Sequence, residues 1–270
     1  MGVDIMNRAA LKLDAKSLLN AHFKFFFLLF LPVFILELVG GFMSAPREDY
    51  YDAQLNANMP VWSGEQTLGT ILIYVGALVS MGVFFVCVDA MRQKLTYDHP
   101  FQKSMTIFNN VDYFLGSIVI YILEFIFVML WMILLIVPGI IKAMAYSQSF
   151  FIYRDAVDCG EKISYLDAIT RSRKLMDGHK WEYFVMALSF IGWGLLVTVT
   201  LGIAAIWVQP YMALSFANYY RELVDEHEAE VTQEAQTINN TPVMASENQP
   251  TTTEDSSDQS DDHSNDAPKE

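Results

Sequence analysis

Cysteine is nearly absent from this 270-residue chain. There are two, Cys87 inside an apolar run and Cys159 in a polar one, and isolated thiols of that kind exclude a disulfide framework. Positive charge is scarce as well, with 17 Lys and Arg against 31 Asp and Glu, and nowhere do the bases gather into the basic surface that nucleic-acid binding requires. A phosphate-cradling glycine loop and a nucleophile elbow are both missing. The histidines, at 22, 99, 179, 227 and 263, lack metal-ligand spacing, so the sequence offers no metal site, no cofactor and no catalytic residue, and the expectation is a protein that is not an enzyme. No secretory signal is recognisable either. The first apolar run follows about twenty residues of amphipathic sequence and is longer than a signal core, so it reads as a retained span.

What the chain does have is apolar sequence in long blocks. Runs at 23–42, 68–88, 113–137, 138–153, 181–201 and 203–220 are candidates to cross a hydrocarbon core of roughly 30 Å. The fourth is the weakest, being short and holding Lys142, Ser147, Gln148 and Ser149. Val137, Pro138 and Gly139 make a turn signal before it. If Pro138 only kinked one helix, residues 113–153 would extend about 60 Å at 1.5 Å per residue, about twice the need, so two spans are the better reading.

Amphipathic segments precede the spans. At 7–20, Leu11, Ala15, Leu18 and Leu19 share a helical face; at 163–176, Tyr165, Ala168, Ile169, Leu175 and Met176 do; a shorter turn at 101–108 is similar. Ser164 and Asp167 are spaced as a capping box, and Gly76 with Ser80 offers a small-residue face for close helix contact. Matching junctions, Leu18–Leu19–Asn20–Ala21–His22 with Leu175–Met176–Asp177–Gly178–His179 and Tyr153–Arg154–Asp155 with Tyr220–Arg221–Glu222, point to an internal repeat. The expected fold is therefore all-α: a polytopic membrane helical bundle of six transmembrane helices, arranged as three hairpins each preceded by an amphipathic interfacial helix.

Three regions are expected: an N-terminal interfacial helix at 1–22, the six-span domain at 23–224, and an acidic, disordered cytoplasmic tail at 225–270, with helix persisting only a few residues, to about Val231. The tail holds thirteen acids against one lysine, whereas residues 1–224 are nearly balanced. With both termini cytoplasmic, fifteen of the seventeen Lys and Arg lie on the inner side, which leaves Arg47 outside and Lys142 near an outer turn. A cell-membrane protein with N and C termini inside satisfies that asymmetry.

The run at 137–141, the segment at 172–181, the stretch at 189–194, and Pro210, Tyr211, Ala217, Asn218, Tyr220 and Arg221 together resemble an uncharacterised bacterial integral membrane family, domain of unknown function 975. More distantly the chain is similar to the membrane domain fused to some glycerophosphodiester phosphodiesterases. These resemblances imply the membrane fold and supply no catalytic residues.

Glu124 is the most informative side chain, because an acid near the bilayer centre is costly unless it is paired, protonated or hydrated. It marks a candidate intramembrane polar site, with Ser147, Gln148, Gln209 and Asn218 on the fourth and sixth runs; the structural alternative is a hydrogen-bonded acid tying its helix to a neighbour. Arg171, Arg173 and Lys174 are candidate contacts to anionic lipid headgroups, against the plainer reading of topological orientation. Lys142 reads as a side chain snorkelling to the interface, with Glu37 at similar depth as an ion-pair partner. The expected partners are the lipid bilayer and anionic lipids, with no nucleic acid; a homo-oligomer is compatible with this reading. Function divides between a small transporter-like or channel-like bundle and a scaffold or envelope-homeostasis protein recruiting partners through its interfacial helices and tail. An enzyme acting on lipid is a third reading.

Overall fold

The computed structural model describes residues 7–45 and 63–240. The expected disorder of residues 241–270, and most of the acidic segment between the first two apolar runs, lie outside the described residues. Every regular element among the described residues is helical. α1 (Arg8–Ala21) starts where the Asn7 side chain accepts from the Ala10 amide at 3.2 Å, and its apolar stripe buries Leu11, Ala15 and Leu19. α2 (Phe23–Ser44) follows, and α3 (Gly64–Met91) opens on a capping box between Ser63 and Gln66. The short turns α4 (Pro100–Ser104) and α5 (Thr106–Asn109) lead into α6 (Val111–Leu134).

α7 (Ile136–Tyr146) and α8 (Ser149–Asp158) come next, then α9 (Tyr165–Leu175) on the expected Ser164–Asp167 capping box. α10 (Lys180–Leu188) and α11 (Ile191–Val199) precede the terminal helix α12 (Ala205–Asn240). Four stretches are long and apolar enough to cross a membrane: Phe23–Ser44, Gly64–Met91, Val111–Leu134, and α10 with α11 taken as one run, Lys180–Val199. The chain is thus an all-helical protein with four candidate membrane-spanning helices.

Several boundaries depart from the expected ones for identifiable reasons. α6 stops at Leu134 because Leu135 is extended, with φ −158° and ψ 133°, and Pro138 then falls in the first turn of α7, where a missing N–H removes no helical bond. The run at 138–153 is not one helix: it breaks at Ser147 and Gln148. Between α11 and α12 the chain reverses through Leu201 and Gly202, both at positive φ, a conformation glycine adopts without strain. The helix expected to fade near Val231 continues to Asn240, since Glu228, Ala229, Glu230, Gln233 and Ala235 are good helix formers, so residues 225–240 are helical and not disordered.

Consecutive long helices pack antiparallel. α2 meets α3 where a Cβ on Gly40 would lie 2.8 Å from the Gly69 carbonyl oxygen, and Gly76 faces Leu36 higher up. The Ser80 hydroxyl donates to the Ala77 carbonyl of its own helix at 2.7 Å. α6 lies against α8, with Gly116 under the Tyr153 ring, and α10–α11 lie against α12 through Tyr183–Tyr219 and Trp193–Trp207.

The amphipathic elements then link one pair to another. Ile107 of α5 packs on Gly82 of α3; Ser172 of α9 bonds Ala145 and Gln148 at the end of α7; Asn218 of α12 donates to the Leu11 carbonyl of α1 at 3.1 Å. These contacts close a ring in which each amphipathic element rests on the preceding pair and the first rests on the last. The far tips are another matter. Residues 133–137 and 199–203 present large apolar side chains on every face, Leu201 being 92% exposed. At roughly 1.5–3 kcal/mol for each Leu or Ile moved out of water, leaving those tips in water is costly.

Candidate functional site

The break between α7 and α8 builds the most unusual polar site in the apolar part of the molecule. Ser147 and Ser149 turn their hydroxyls onto Met144 and Tyr146 carbonyls at 2.9 and 2.6 Å, and the Gln148 amide nitrogen donates to the Ser147 oxygen at 2.8 Å. Ser172 stitches the break from outside: its hydroxyl donates to the Ala145 carbonyl at 2.8 Å and accepts from the Gln148 backbone N–H at 3.2 Å. One serine thereby satisfies both helix ends that the break exposes. Sequence reasoning missed Ser172, although the signal was there: it lies four residues after Ala168 and four before Met176, a hydroxyl on the apolar stripe of an amphipathic helix.

Glu124 reaches this break from α6. Ser149 lies beside its carboxyl, and Tyr183 of α10 faces both Glu124 and Ser147. Yet Glu124 Oε1 is buried without a hydrogen-bond partner, and so is Gln148 Oε1. Leaving a buried acceptor unmade costs about 1–3 kcal/mol, more if it is charged, so two orphaned acceptor oxygens make this a place that demands a donor.

The structure brings Glu124, Ser147 and Gln148 together and leaves the other two expected members elsewhere. Gln209 donates to Glu37 at 3.3 Å on an exposed face, and Asn218 is committed to Leu11, its Oδ1 buried without a partner. The Glu37–Lys142 pair does not form. Glu37 is taken by Gln209, and the Lys142 ammonium sits 5.0 Å over the Trp131 ring.

A second polar assembly, not anticipated as a unit, joins the ends of α3, α8 and α12. Arg92 makes a bidentate pair with Asp155, at 2.8 and 2.7 Å, and Arg154 a bidentate pair with Asp89, both bonds 2.7 Å. Arg154 also reaches Asp158 at 3.2 Å and the Phe85 carbonyl at 2.9 Å. The Tyr220 hydroxyl donates to Asp155 at 2.7 Å, Tyr113 bonds Asp158, and Arg221 donates to the Met91 carbonyl at 3.1 Å. Beside Asp155, Arg92 is held well above its ordinary basicity. The network borders a cleft of about 850 Å³ whose lining includes Arg92, Asp155, Arg171, Tyr220 and Arg221.

The three expected headgroup contacts separate. Arg171 is held by Glu161, at 3.0 and 2.5 Å, and that hydrogen bonding holds the Glu161 carboxyl below its usual range. Arg173 lines a different, smaller cleft of about 380 Å³ with Lys142 and Lys180, and Lys174 borders both clefts. Both cysteines are free, Cys87 buried and Cys159 exposed. Among the described residues, no group of His, Cys, Asp or Glu is placed to hold a metal ion.

The helix break, the Arg154–Asp155 exit and the closing Tyr220–Arg221 pattern all lie in one stretch of sequence. Residues 132–227 match DUF975, a protein family of unknown function. The DUF975 match takes in α7 to α11 and most of the packed part of α12, hence Ser147, Gln148, Ser172, Tyr183, Arg171 and Arg173, while Glu124, Asp89 and Arg92 stand before it. Its outline agrees with the residues that carried the resemblance, and it does not extend to the glycerophosphodiester phosphodiesterase membrane domain. No curated protein and no solved structure matches the chain.

Proposed function

We propose that the chain crosses the membrane six times, as three helix pairs with both termini on the cytoplasmic side, and that it is a transporter-like bundle which exchanges a proton or a small monovalent cation at Glu124. The observation that carries this reading is the pair of orphaned acceptors, Glu124 Oε1 and Gln148 Oε1, at a helix break in an otherwise apolar region. A proton or cation supplies what those oxygens lack, and broken helices are where membrane proteins expose backbone groups to ions. The 850 Å³ cleft, lined by acids and bases alike, supports it further by giving a polar vestibule at the ends of α3, α8 and α12. Ser147, Ser149 and Tyr183 supply hydroxyls around the carboxyl, and Ser172 keeps the break in register.

The test is flux through the full chain in proteoliposomes loaded with a pH-sensitive dye, under imposed proton, Na⁺ and K⁺ gradients. Protein-dependent flux that is lost in Glu124→Gln and kept in Glu37→Gln supports the reading. Flux no greater than in protein-free vesicles under all three gradients overturns it.

A scaffold role rests on a different feature, the continuation of α12 to Asn240 through an acid-rich sequence. The truncation that tests it starts after Glu230, because Leu223 is 1% exposed and Arg221 belongs to the exit network. Flux that survives this truncation separates the two readings.

A further inference from the structure

The smaller cleft gathers four basic side chains against one acid. Lys142 from α7, Arg173 and Lys174 from the last turn of α9, and Lys180 from the first turn of α10 converge on it, with Thr170, Ile141 and Ala145 completing the wall. Asp177 is the one acid in the lining, and Lys180 occupies it at 2.7 Å, which lowers the Asp177 carboxyl below its usual range. Among the described residues, Lys142, Arg173 and Lys174 have no carboxylate at ion-pair distance. Arg173 and Lys174 complement the α9 dipole, but Lys180 stands at a helix N-terminus, where a cation is unfavourable and an anion is favoured. The His179 side chain makes no capping bond there, and the acid of the first turn, Glu182, lies 3.3 Å from the His179 ring.

Lys142 adds the decisive feature. It is carried by an apolar helix whose adjacent Ile140 and Ile141 are exposed, a surface suited to acyl chains, and it lines the cleft with the cations of α9 and α10 while its ammonium lies 5.0 Å over the Trp131 ring. A site that is strongly basic inside and apolar at its rim fits a molecule with a phosphate attached to hydrocarbon. We infer that this cleft binds the phosphate of an anionic glycerophospholipid headgroup, with Lys142, Arg173 and Lys174 as its charge partners and the α10 N-terminus facing it. The site is separate from Glu124, and its success or failure leaves the transport reading untouched.

The experiment measures lipid retention by the full chain in detergent by native mass spectrometry, titrating dioleoylphosphatidylglycerol against dioleoylphosphatidylcholine. Phosphatidylglycerol should bind at least tenfold tighter. In K142Q/R173Q/K174Q this preference should fall to within twofold of unity, whereas K16Q/K24Q/K162Q, which removes the same charge from outside the cleft, should retain it. Equal loss in both triple variants would assign the preference to general surface charge and overturn the site. Inorganic phosphate at tens of millimolar should displace the lipid poorly; full displacement, with phosphate alone binding as tightly, would identify a soluble anion and overturn the lipid assignment. Should the triple variant lose its helical circular dichroism, the single variant K174Q and the conservative K142R decide instead. The first is expected to weaken binding threefold or more and the second to leave it within twofold, and no change in K174Q overturns the proposal.

Discussion

Arg154→Met is the sharpest test of what holds the helix ends together. Arg154 is 8% exposed, and its guanidinium makes two bonds to Asp89, a third to the Phe85 carbonyl and a contact to Asp158, while lying 5.2 Å over the Phe85 ring. Methionine keeps much of the apolar stem and removes every polar bond. Breaking a buried ion pair from one side costs about 3–5 kcal/mol, whereas an exposed one is worth about 0–1 kcal/mol. The Asp89 side chain is 27% exposed, so solvent relieves part of its loss and the expected destabilisation is about 3 kcal/mol. Unfolding from dodecyl maltoside micelles by sodium dodecyl sulfate, read by tryptophan fluorescence, measures it. Pairing the change with Asp89→Asn completes a double-mutant cycle, where a coupling of at least ~1.5 kcal/mol is expected because neither partner is then left alone. A loss under ~1 kcal/mol together with negligible coupling would refute the claim that this lattice is structural.

At the α2–α3 crossing, Gly40→Ala should destabilise by about 1–3 kcal/mol through overpacking against the Gly69 carbonyl, while Gly41→Ala, which meets nothing within 4 Å, should be nearly neutral in the same unfolding assay. Asn218→Ala leaves the buried Leu11 carbonyl without its donor, and faster amide exchange across Arg8–Ala21 is the expected sign, with exchange elsewhere unchanged. Lys103 and Thr96 hold the exposed Asp98 carboxyl down at about 2. A depressed carboxylate stabilises above its unfolded value and loses that contribution as pH falls through the folded one, so amides of residues 94–99 should exchange faster, relative to intrinsic rates, between about pH 4 and pH 2 in a folded protein. Asp98→Asn should remove that pH dependence.

Much of the helical content was legible because its signals are local. The capping box at Ser164 requires only residues three apart, and Pro138 marks a nearby helix boundary, falling in the first turn of α7. The apolar runs announced membrane helices for the same reason. What was not legible depends on residues distant in sequence. The Ser147–Gln148 break is stabilised by Ser172, which no periodicity of the run itself reveals, and composition suggested one continuous span. Glu124, Ser147, Gln148, Gln209 and Asn218 share polarity within apolar runs, and polarity along a run says nothing of which side of a helix a residue occupies; Gln209 and Asn218 each face a different neighbour. Arg154 and Asp155 are visible as a recurring ending, whereas their partners Asp89 and Arg92 stand just past the apolar run at 68–88 with nothing local to mark them.

That recurring ending explains the shape of the lattice once the three exits are aligned. Arg154 and Asp158 form an i,i+4 pair within α8, and Arg221 and Asp225 stand at the same spacing in α12, 3.8 Å apart. Aligning Asp89 with Asp155 and Glu222 puts Val88 where the others have arginine and Arg92 where they have aspartate. The first exit therefore cannot make the pair within its own helix. Its acid and its base are both free to reach across, and they take Arg154 and Asp155 in two bidentate bridges that fasten α3 to α8. α12 joins the same lattice by single bonds only, Tyr220 to Asp155 and Arg221 to the Met91 carbonyl. Two charge-assisted forks bind more firmly than two single contacts. At this end of the bundle the first two helix pairs are thus joined as one body, and α12 is the element that can shift against them while breaking the fewest strong bonds.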